Sequence, residues 1–193
     1  MKGVVLCGGE SSRMREDKGL LLFLHKTWAQ LAEEKLLALD LTPVFSINPS
    51  QHTTYGANFK SAQLISDSPE LEGTAGPLLG VLSVHLSFPS ENLLVLACDM
   101  LKMEVIVLLE LLHQFKENPT IEAICFKCEN QIEPLCGIYS ASGLAKLFDM
   151  HKRKTLGKNS MMHVLEILDV RYIVVENNWG PYFKNLNSVA DLK

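Results

Sequence analysis

The sequence predicts a three-layer α/β fold with a mostly parallel sheet and one antiparallel strand. Short apolar runs alternate with helical patterns along all 193 residues. The early runs VVLC and LLVLAC are continuously apolar, which is typical of strands buried on both faces. The segment 132–140 follows the preceding strand after only a few residues. Since that gap is too short for a helical crossover, it predicts the antiparallel strand.

The predicted elements form a single domain over residues 1–193, because no repeat, low-complexity stretch or long linker interrupts the pattern. The predicted strands are Gly3–Cys7, Pro43–Ile47, Ala62–Ile65, Asn92–Cys98, Ile121–Lys127, Leu135–Tyr139 and Tyr172–Val175. The predicted helices are Thr27–Leu39, Leu78–Phe88, Glu104–Phe115, Ser142–His151, Ser160–Leu168 and a short turn from Ser188. The segments 48–57 and 66–77 are predicted to be loops. Ligands of such sheets bind beyond the carboxyl ends of the strands.

Composition narrows the functional class. The net charge of −4 disfavours a nucleic-acid-binding surface, and no apolar run is long enough to span a membrane. An odd count of five cysteines without a secretory signal favours a reduced, cytoplasmic chain. Cys125 and Cys128 form a CxxC without a second pair, and on a strand they face opposite sides. This pair is therefore not expected to bind a metal or act in redox chemistry.

The first loop carries the strongest functional pattern. Gly8 and Gly9 directly follow a strand, where they allow a sharp turn and close backbone approach to a ligand. Arg13 and Lys18 supply donors and positive charge for phosphate oxygens. The loop matches neither the Walker A pattern nor GxGxxG. The alternative is a glycine turn followed by a solvated charged loop.

The loop from Leu6 to Lys18, LCGGESSRMREDK, resembles LAGGxSxRMGxDK of the molybdenum cofactor guanylyltransferases, the MobA family. Further blocks resemble that family in order along the chain: Asn48 in SINP, Asp67 in ISD, GPLLGV from Gly76, CDM around Asp99, EPLCGIY from Glu133, and FKNLNS from Phe183. The sequence departs from the family pattern at Cys7 for Ala, at Arg15 for Gly and at Leu101 for Pro. None of these changes removes a proposed phosphate or metal group.

The resemblance implies a Rossmann-like nucleotidyltransferase fold and a Mg²⁺-dependent transfer of GMP from GTP to molybdopterin or Mo-molybdopterin, with release of pyrophosphate. Carrier proteins of the cofactor are further candidate partners. It implies that Arg13, Lys18 and Asp99 are catalytic and that Asp99 and Asn187 bind the metal. The residues implied in GTP binding are Leu6, Cys7, Gly8, Gly9, Lys18, Asn48, Asp67, Gly76 and Asp99.

Several of these positions have a structural alternative. Asp99 suits Mg²⁺ as a hard oxygen ligand, but it could equally cap the next helix. Asn48 could contact a base edge or start a turn with Pro49, and Asn187 could be an ordinary loop asparagine. The basic run 151–154, with Lys158, is either a solvated helix end or a site for the acceptor phosphate or a carrier protein.

Three functions therefore remain after the sequence is read. The guanylyltransferase comes first, because LCGG and GPLLG are closer to the guanylyl-transferring relatives than to the cytidylyl-transferring ones. A cytidylyl- or sugar-phosphate nucleotidyltransferase on the same fold is the nearest alternative. A non-catalytic GTP-binding module is the third, supported only by Arg15 in place of glycine.

Overall fold

The computed structural model describes residues 1–8, 17–59, 63–128, 131–175 and 178–184. Within these ranges the strands are β1 Lys2–Leu6, β2 Leu22–Phe23, β3 Lys26–Thr27, β4 Thr42–Ile47, β5 Gln63–Ser66, β6 Leu93–Ala97, β7 Ala123–Cys128, β8 Gln131–Tyr139 and β9 Val170–Val174. The α-helices are α1 Trp28–Leu37, α2 His52–Asn58, α3 Gly76–Ser87, α4 Val105–Glu117, α5 Ala141–Lys152 and α6 Met161–Ile167. Short 3₁₀ turns cover Lys18–Leu20, Pro49–Gln51, Pro69–Leu71 and Gly180–Phe183.

The main sheet has the strand order β5-β4-β1-β6-β8-β7-β9 in the described part of the chain. β8 pairs antiparallel with both β6 and β7, whereas the other pairings in this sheet are parallel. The predicted α/β class, with its mostly parallel sheet and one antiparallel strand, is confirmed. A separate antiparallel hairpin of β2 and β3 was not predicted.

The sheet is covered on both faces, which gives the three layers. One hydrophobic core lies under α1, α2 and α4 and includes Ala32, Tyr55 and Leu108. The other lies under α3, α5 and α6 and includes Val81, Leu144 and Val164. β1 and β6 lie at the centre, and their side chains are buried on both faces from Val4 to Leu6 and across 93–97. Their continuous apolar runs follow from this burial.

Local capping fixes where the helices begin. Thr27 forms a capping box with Gln30 at the start of α1, in which each side chain bonds the other residue's backbone N–H. Ser140 and Ser160 cap α5 and α6 through their hydroxyl groups. In the described ranges, no helix combines the length and apolar character needed to cross a membrane.

The predicted loop at 48–57 is wrong. The structure has a 3₁₀ turn at Pro49–Gln51 followed by α2, whose sequence HTTYGAN buries only Tyr55. A helix with one buried side chain shows no apolar periodicity, so the pattern gave no helical signal. The predicted loop at 66–77 likewise contains the 3₁₀ turn at Pro69–Leu71 and the first residues of α3. The predicted turn from Ser188 lies outside the described residues.

Candidate active site

The carboxyl ends of β1 and β6 bring two charged side chains into contact. These strands are paired in parallel, and the N–H of Cys98 donates to the carbonyl of Leu6 at 3.2 Å. Lys18 follows the loop after β1, and Asp99 follows β6. Lys18 Nζ lies 3.1 Å from Asp99 Oδ2, although the residues are 81 positions apart in sequence. Their side chains are 25% and 22% exposed, so ligands can reach both.

The segments that follow β1, β4 and β5 also contact one another at this edge of the sheet. The N–H groups of Cys7 and Gly8 both donate to the carbonyl of Ser46, at 2.9 and 3.1 Å. A Cβ at Gly8 would lie 3.6 Å from the backbone nitrogen of Asn48, so the two backbones are in contact. Asp67, at the end of β5, donates its N–H to the carbonyl of Ile47 at 3.0 Å. The ends of β1, β4, β5 and β6 therefore meet at one edge of the sheet.

Asp17 fixes the segment that carries Lys18. Its Oδ1 accepts hydrogen bonds from the N–H of Gly19 and the hydroxyl of Tyr55, both at 3.0 Å. Its Oδ2 accepts from Gln51 Nε2 at 2.6 Å. Burial raises the pKa of the Tyr55 hydroxyl, so this group stays protonated and acts as a donor. Sequence analysis did not predict this role, because Gln51 and Tyr55 come from the segment 48–57, which was predicted to be a loop.

The structure shows Asn48 in the turn that sequence analysis weighed as its alternative. Its Oδ1 accepts from the N–H of Gln51 at 3.2 Å and from the hydroxyl of Ser50 at 2.6 Å. Gln51 in turn accepts from the N–H of Asn48 at 2.8 Å, which completes a capping box. Contact between Asn48 and a base remains a prediction. The side chains of Leu6 and Cys7 are buried, so only their backbones could approach a nucleotide.

α3 begins at this edge of the sheet, after the segment that follows β5, and its first residue, Gly76, is exposed. Gly76 has φ +64°, a left-handed conformation that favours glycine, and Pro77 occupies the first turn. Ala75 provides no side-chain cap for the first N–H groups of this helix, and uncapped N–H groups at a helix start can bind an anion. One turn later, a Cβ on Gly80 would collide with the hydroxyl of Ser46. Glycine there lets α3 pack closely against β4.

Glu133 is a buried carboxylate that sequence analysis did not assign to the site. The antiparallel register of β6 and β8 pairs Leu96 with Cys136, which lie three residues from Asp99 and Glu133, and the two carboxyl groups are close enough for the charge of one to act on the other. Glu133 is 5% exposed and accepts a hydrogen bond from Gln131 Nε2 at 2.7 Å. Burial raises the pKa of the Glu133 carboxyl, and the nearby Asp99 charge raises it further. The EPL block was the available signal, but its spacing alone did not place it next to Asp99.

Burial also raises the pKa of the carboxyl group after β5 and of a thiol below the site. Burial raises the pKa of Asp67. A hydrogen bond with Cys7, followed by burial, raises the pKa of the Cys98 thiol. Cys98 is therefore a protonated, apolar part of the floor and not a nucleophile.

The chain is similar to known proteins of one family. Residues 3–169 match the family described as a MobA-like NTP transferase domain. A molybdenum cofactor guanylyltransferase of Campylobacter jejuni is 30% identical over 184 residues, which cover 95% of this chain and 89% of the relative. The chain belongs to the MobA-like NTP transferase family.

Two further members of the comparison agree with this assignment. The crystal structure of molybdopterin-guanine dinucleotide biosynthesis protein A from Archaeoglobus fulgidus superposes with a TM-score of 0.77 and 25% identity, covering 100% of this chain and 95% of that one. A molybdenum cofactor biosynthesis bifunctional protein of Synechocystis is 30% identical over 192 residues. The match covers 98% of this chain but only 52% of that relative.

The MobA-like architecture positions most of the predicted site residues. Lys18, Asp99, Gly8, Asn48, Asp67 and Gly76 all lie on segments that follow strands at the carboxyl edge of the sheet, together with the backbones of Leu6 and Cys7. Gly9, Arg13 and Asn187 lie outside the described residues. Among the residues that are described, no three His, Cys, Asp or Glu side chains are grouped so as to hold a metal ion. The roles of the predicted site residues remain predictions.

The basic run at the end of α5 has partly structural contacts in this MobA-like chain. Lys152 Nζ lies 2.7 Å from Asp149 Oδ1, at the exposed surface. His151 Nδ1 lies 3.0 Å from Thr74 Oγ1, which joins the end of α5 to the loop before α3. These contacts support the helix-end interpretation for His151 and Lys152.

Proposed function

We propose that this chain transfers the GMP unit of GTP to the phosphate of molybdopterin or Mo-molybdopterin and releases pyrophosphate. The guanylyltransferase relatives support this substrate pair. The observation that carries the proposal is the contact between Lys18 and Asp99 beside the glycine turn after β1. A cation and a carboxylate at one spot suit a triphosphate that is bound together with a divalent cation.

Asp99 fits a magnesium ligand. It presents a carboxylate at the edge of the sheet, and Mg²⁺ typically binds one or two carboxylates together with substrate phosphates. Asn187 is proposed as the second protein ligand. A bound Mg²⁺ would supply charge neutralisation at the phosphate oxygens.

The chain itself contributes positioning and positive charge. An oxygen of the acceptor phosphate forms a bond to the α-phosphorus of GTP, and the bond to the oxygen that bridges to the β-phosphorus breaks as pyrophosphate leaves. The acceptor phosphate is already ionised at neutral pH, so no strong general base is needed. Lys18 neutralises charge on the departing pyrophosphate, with Arg13 proposed alongside it. Asp17 holds Lys18 in place, and the start of α3 offers N–H groups to an anionic part of the substrate.

The test is transfer by the purified chain with molybdopterin and GTP, CTP or UTP in separate reactions. Dinucleotide formation and pyrophosphate release are expected with GTP and Mg²⁺, with far less product from CTP and UTP. Transfer with CTP in preference to GTP would replace the proposal by a cytidylyltransferase. Tight GTP binding without transfer would indicate the non-catalytic module.

Variants then assign the roles of the two charged residues. Asp99→Asn is expected to lower kcat by about 100-fold or more, and Lys18→Met to lower kcat/KM for GTP by a similar factor. Lys146→Met is the matched control, because Lys146 pairs with Glu122, which directly precedes β7 at the edge of the sheet opposite the site. Full activity of Asp99→Asn would remove the metal assignment.

A further inference from the structure

Lys35 is a partly buried cation that the proposed chemistry does not use. It lies in the last turn of α1, and its ammonium reaches across to the segment after β6. Lys35 Nζ donates to the carbonyl of Leu101 at 2.9 Å and to the carbonyl of Met100 at 3.4 Å. These carbonyls belong to the two residues that directly follow Asp99. A side chain 65 positions away therefore holds the backbone next to the proposed metal ligand.

The segment held by Lys35 consists of two successive tight turns. The N–H of Met100 donates to the carbonyl of Ala97 at 3.2 Å, and the N–H of Met103 donates to the carbonyl of Met100 at 3.1 Å. The side chains of Met100 and Met103 are 2% and 1% exposed, so both are anchored in the core. The Leu101 carbonyl receives its hydrogen bond from the ammonium of Lys35. Lys35, which lies on α1, thus adds hydrogen bonds to this segment from another helix.

We propose that Lys35 is a positioning residue for the transfer reaction: its ammonium holds the turn after β6 so that the Asp99 carboxylate is presented in a fixed orientation. The inference rests on the proposed function and goes beyond it, because Lys35 touches neither the substrate nor Asp99. It acts through the carbonyls of Met100 and Leu101. A displacement of about 1 Å at a catalytic group can cost about 100-fold in rate.

Stability alone does not explain a cation at this position. Burial lowers the pKa of Lys35 to about 8, which shows that the folded chain holds the charged form at a cost. Glu104 and Glu34, together with Cys136, act in the opposite direction and offset only part of that effect. A methionine of similar length would fill the same space without the charge. What methionine cannot supply is a donor for the two carbonyls.

The experiment compares wild type, Lys35→Met, Lys35→Arg and the control Lys146→Met, whose ammonium pairs with Glu122 at the opposite edge of the sheet. Hydrogen exchange of peptides spanning 99–104 is measured without substrate, and transfer of GMP is measured over a range of GTP and Mg²⁺ concentrations. Lys35→Met is expected to exchange about 10-fold faster in 99–104 only. Its kcat is expected to fall about 10-fold, with a higher Mg²⁺ requirement, a KM for GTP within a factor of three and an unlowered Tm. Lys35→Arg keeps the donors and is expected to recover most of both readouts.

Each outcome decides the matter. Unchanged exchange in 99–104, or unchanged kcat in Lys35→Met, would overturn the inference. Faster exchange throughout the chain with a lower Tm would show a general structural role instead and would overturn it as well. Absence of transfer by the wild-type chain would refute the proposed function. An active wild type with an equally active Lys35→Met would refute the positioning role alone.

Discussion

Asp17→Asn changes one atom in the network that carries Lys18, and its cost can be worked out from the hydrogen bonds. The amide oxygen of asparagine can still accept from Gly19 and Tyr55. Its NH₂ group, however, would face Gln51 Nε2, which now donates to Asp17 Oδ2 at 2.6 Å. One short hydrogen bond to a charged acceptor becomes a contact between two donors.

Gln51 cannot relieve this contact by turning its amide over. Its Oε1 accepts from the N–H of Asn48 at 2.8 Å, and its Nε2 also donates to the carbonyl of Cys7 at 3.2 Å. A flipped amide would lose both bonds in order to restore one. Since a hydrogen bond to a charged group contributes about 1.5–3 kcal/mol, Asp17→Asn is expected to lower the free energy of unfolding by about 2 kcal/mol.

Urea denaturation followed by circular dichroism measures this difference. Asp40→Asn is the matched control, because Asp40 is exposed with φ +57°, a conformation that asparagine tolerates, and its change should stay within about 0.5 kcal/mol. Asp17→Asn should also raise the KM for GTP, since Asp17 caps the turn that begins at Lys18. A variant as stable as the control, with an unchanged KM, would show that this network neither stabilises the chain nor positions Lys18.

Two further predictions concern the free energy of unfolding. Tyr139→Phe removes a buried hydroxyl that donates to the Pro134 carbonyl at 2.7 Å, so the free energy of unfolding should fall by about 1–2 kcal/mol; an unchanged thermal midpoint would contradict this. Lys35 has a folded-state pKa of about 8, below its ordinary 10.5, so the unfolded chain binds more protons between these pH values and stability should rise with pH across that window by at most about 3 kcal/mol. Glu104, Glu34 and Cys136 face this ammonium, and urea titrations at pH 7 and pH 10 should show that the wild type gains stability relative to Lys35→Met; a constant difference would refute the assignment.

The sequence predicted the sheet well because its strands are encoded locally. Strands buried on both faces need continuous apolar runs, and β1 and β6 have them. The antiparallel direction of β8 followed from chain length alone, since only residues 129–130 separate β7 from β8. α2 and the β2–β3 hairpin gave no such signal. Their residues are mostly exposed, and the hairpin strands are only two residues long.

The location of a candidate residue could be predicted only where that residue follows the end of a strand. The positions of Lys18, Asn48, Asp67 and Asp99 at this edge of the sheet were predicted in this way, and their roles stay predictions. Asp17, Gln51, Glu133 and Lys35 were not predicted, because each acts through partners that are distant in sequence. Glu133 comes near Asp99 because β8 pairs with β6, and Lys35 reaches the turn after β6 from α1. Those contacts depend on tertiary packing that no local pattern records.

The ion pair between Lys18 and Asp99 has a further consequence for ligand binding. Both side chains are more than one-fifth exposed, and such pairs contribute at most about 1 kcal/mol to stability. Under the proposed function, little free energy would therefore be lost if a phosphate replaced Asp99 as the partner of Lys18 and a divalent cation replaced Lys18 as the partner of Asp99. The backbones next to the two residues are held more strongly than the ion pair itself. Asp17, next to Lys18, accepts three hydrogen bonds, and Lys35 donates to the carbonyls of the two residues after Asp99. A weak contact between firmly held groups is what partner exchange requires, since the charges can be rebound without moving the backbones that carry them.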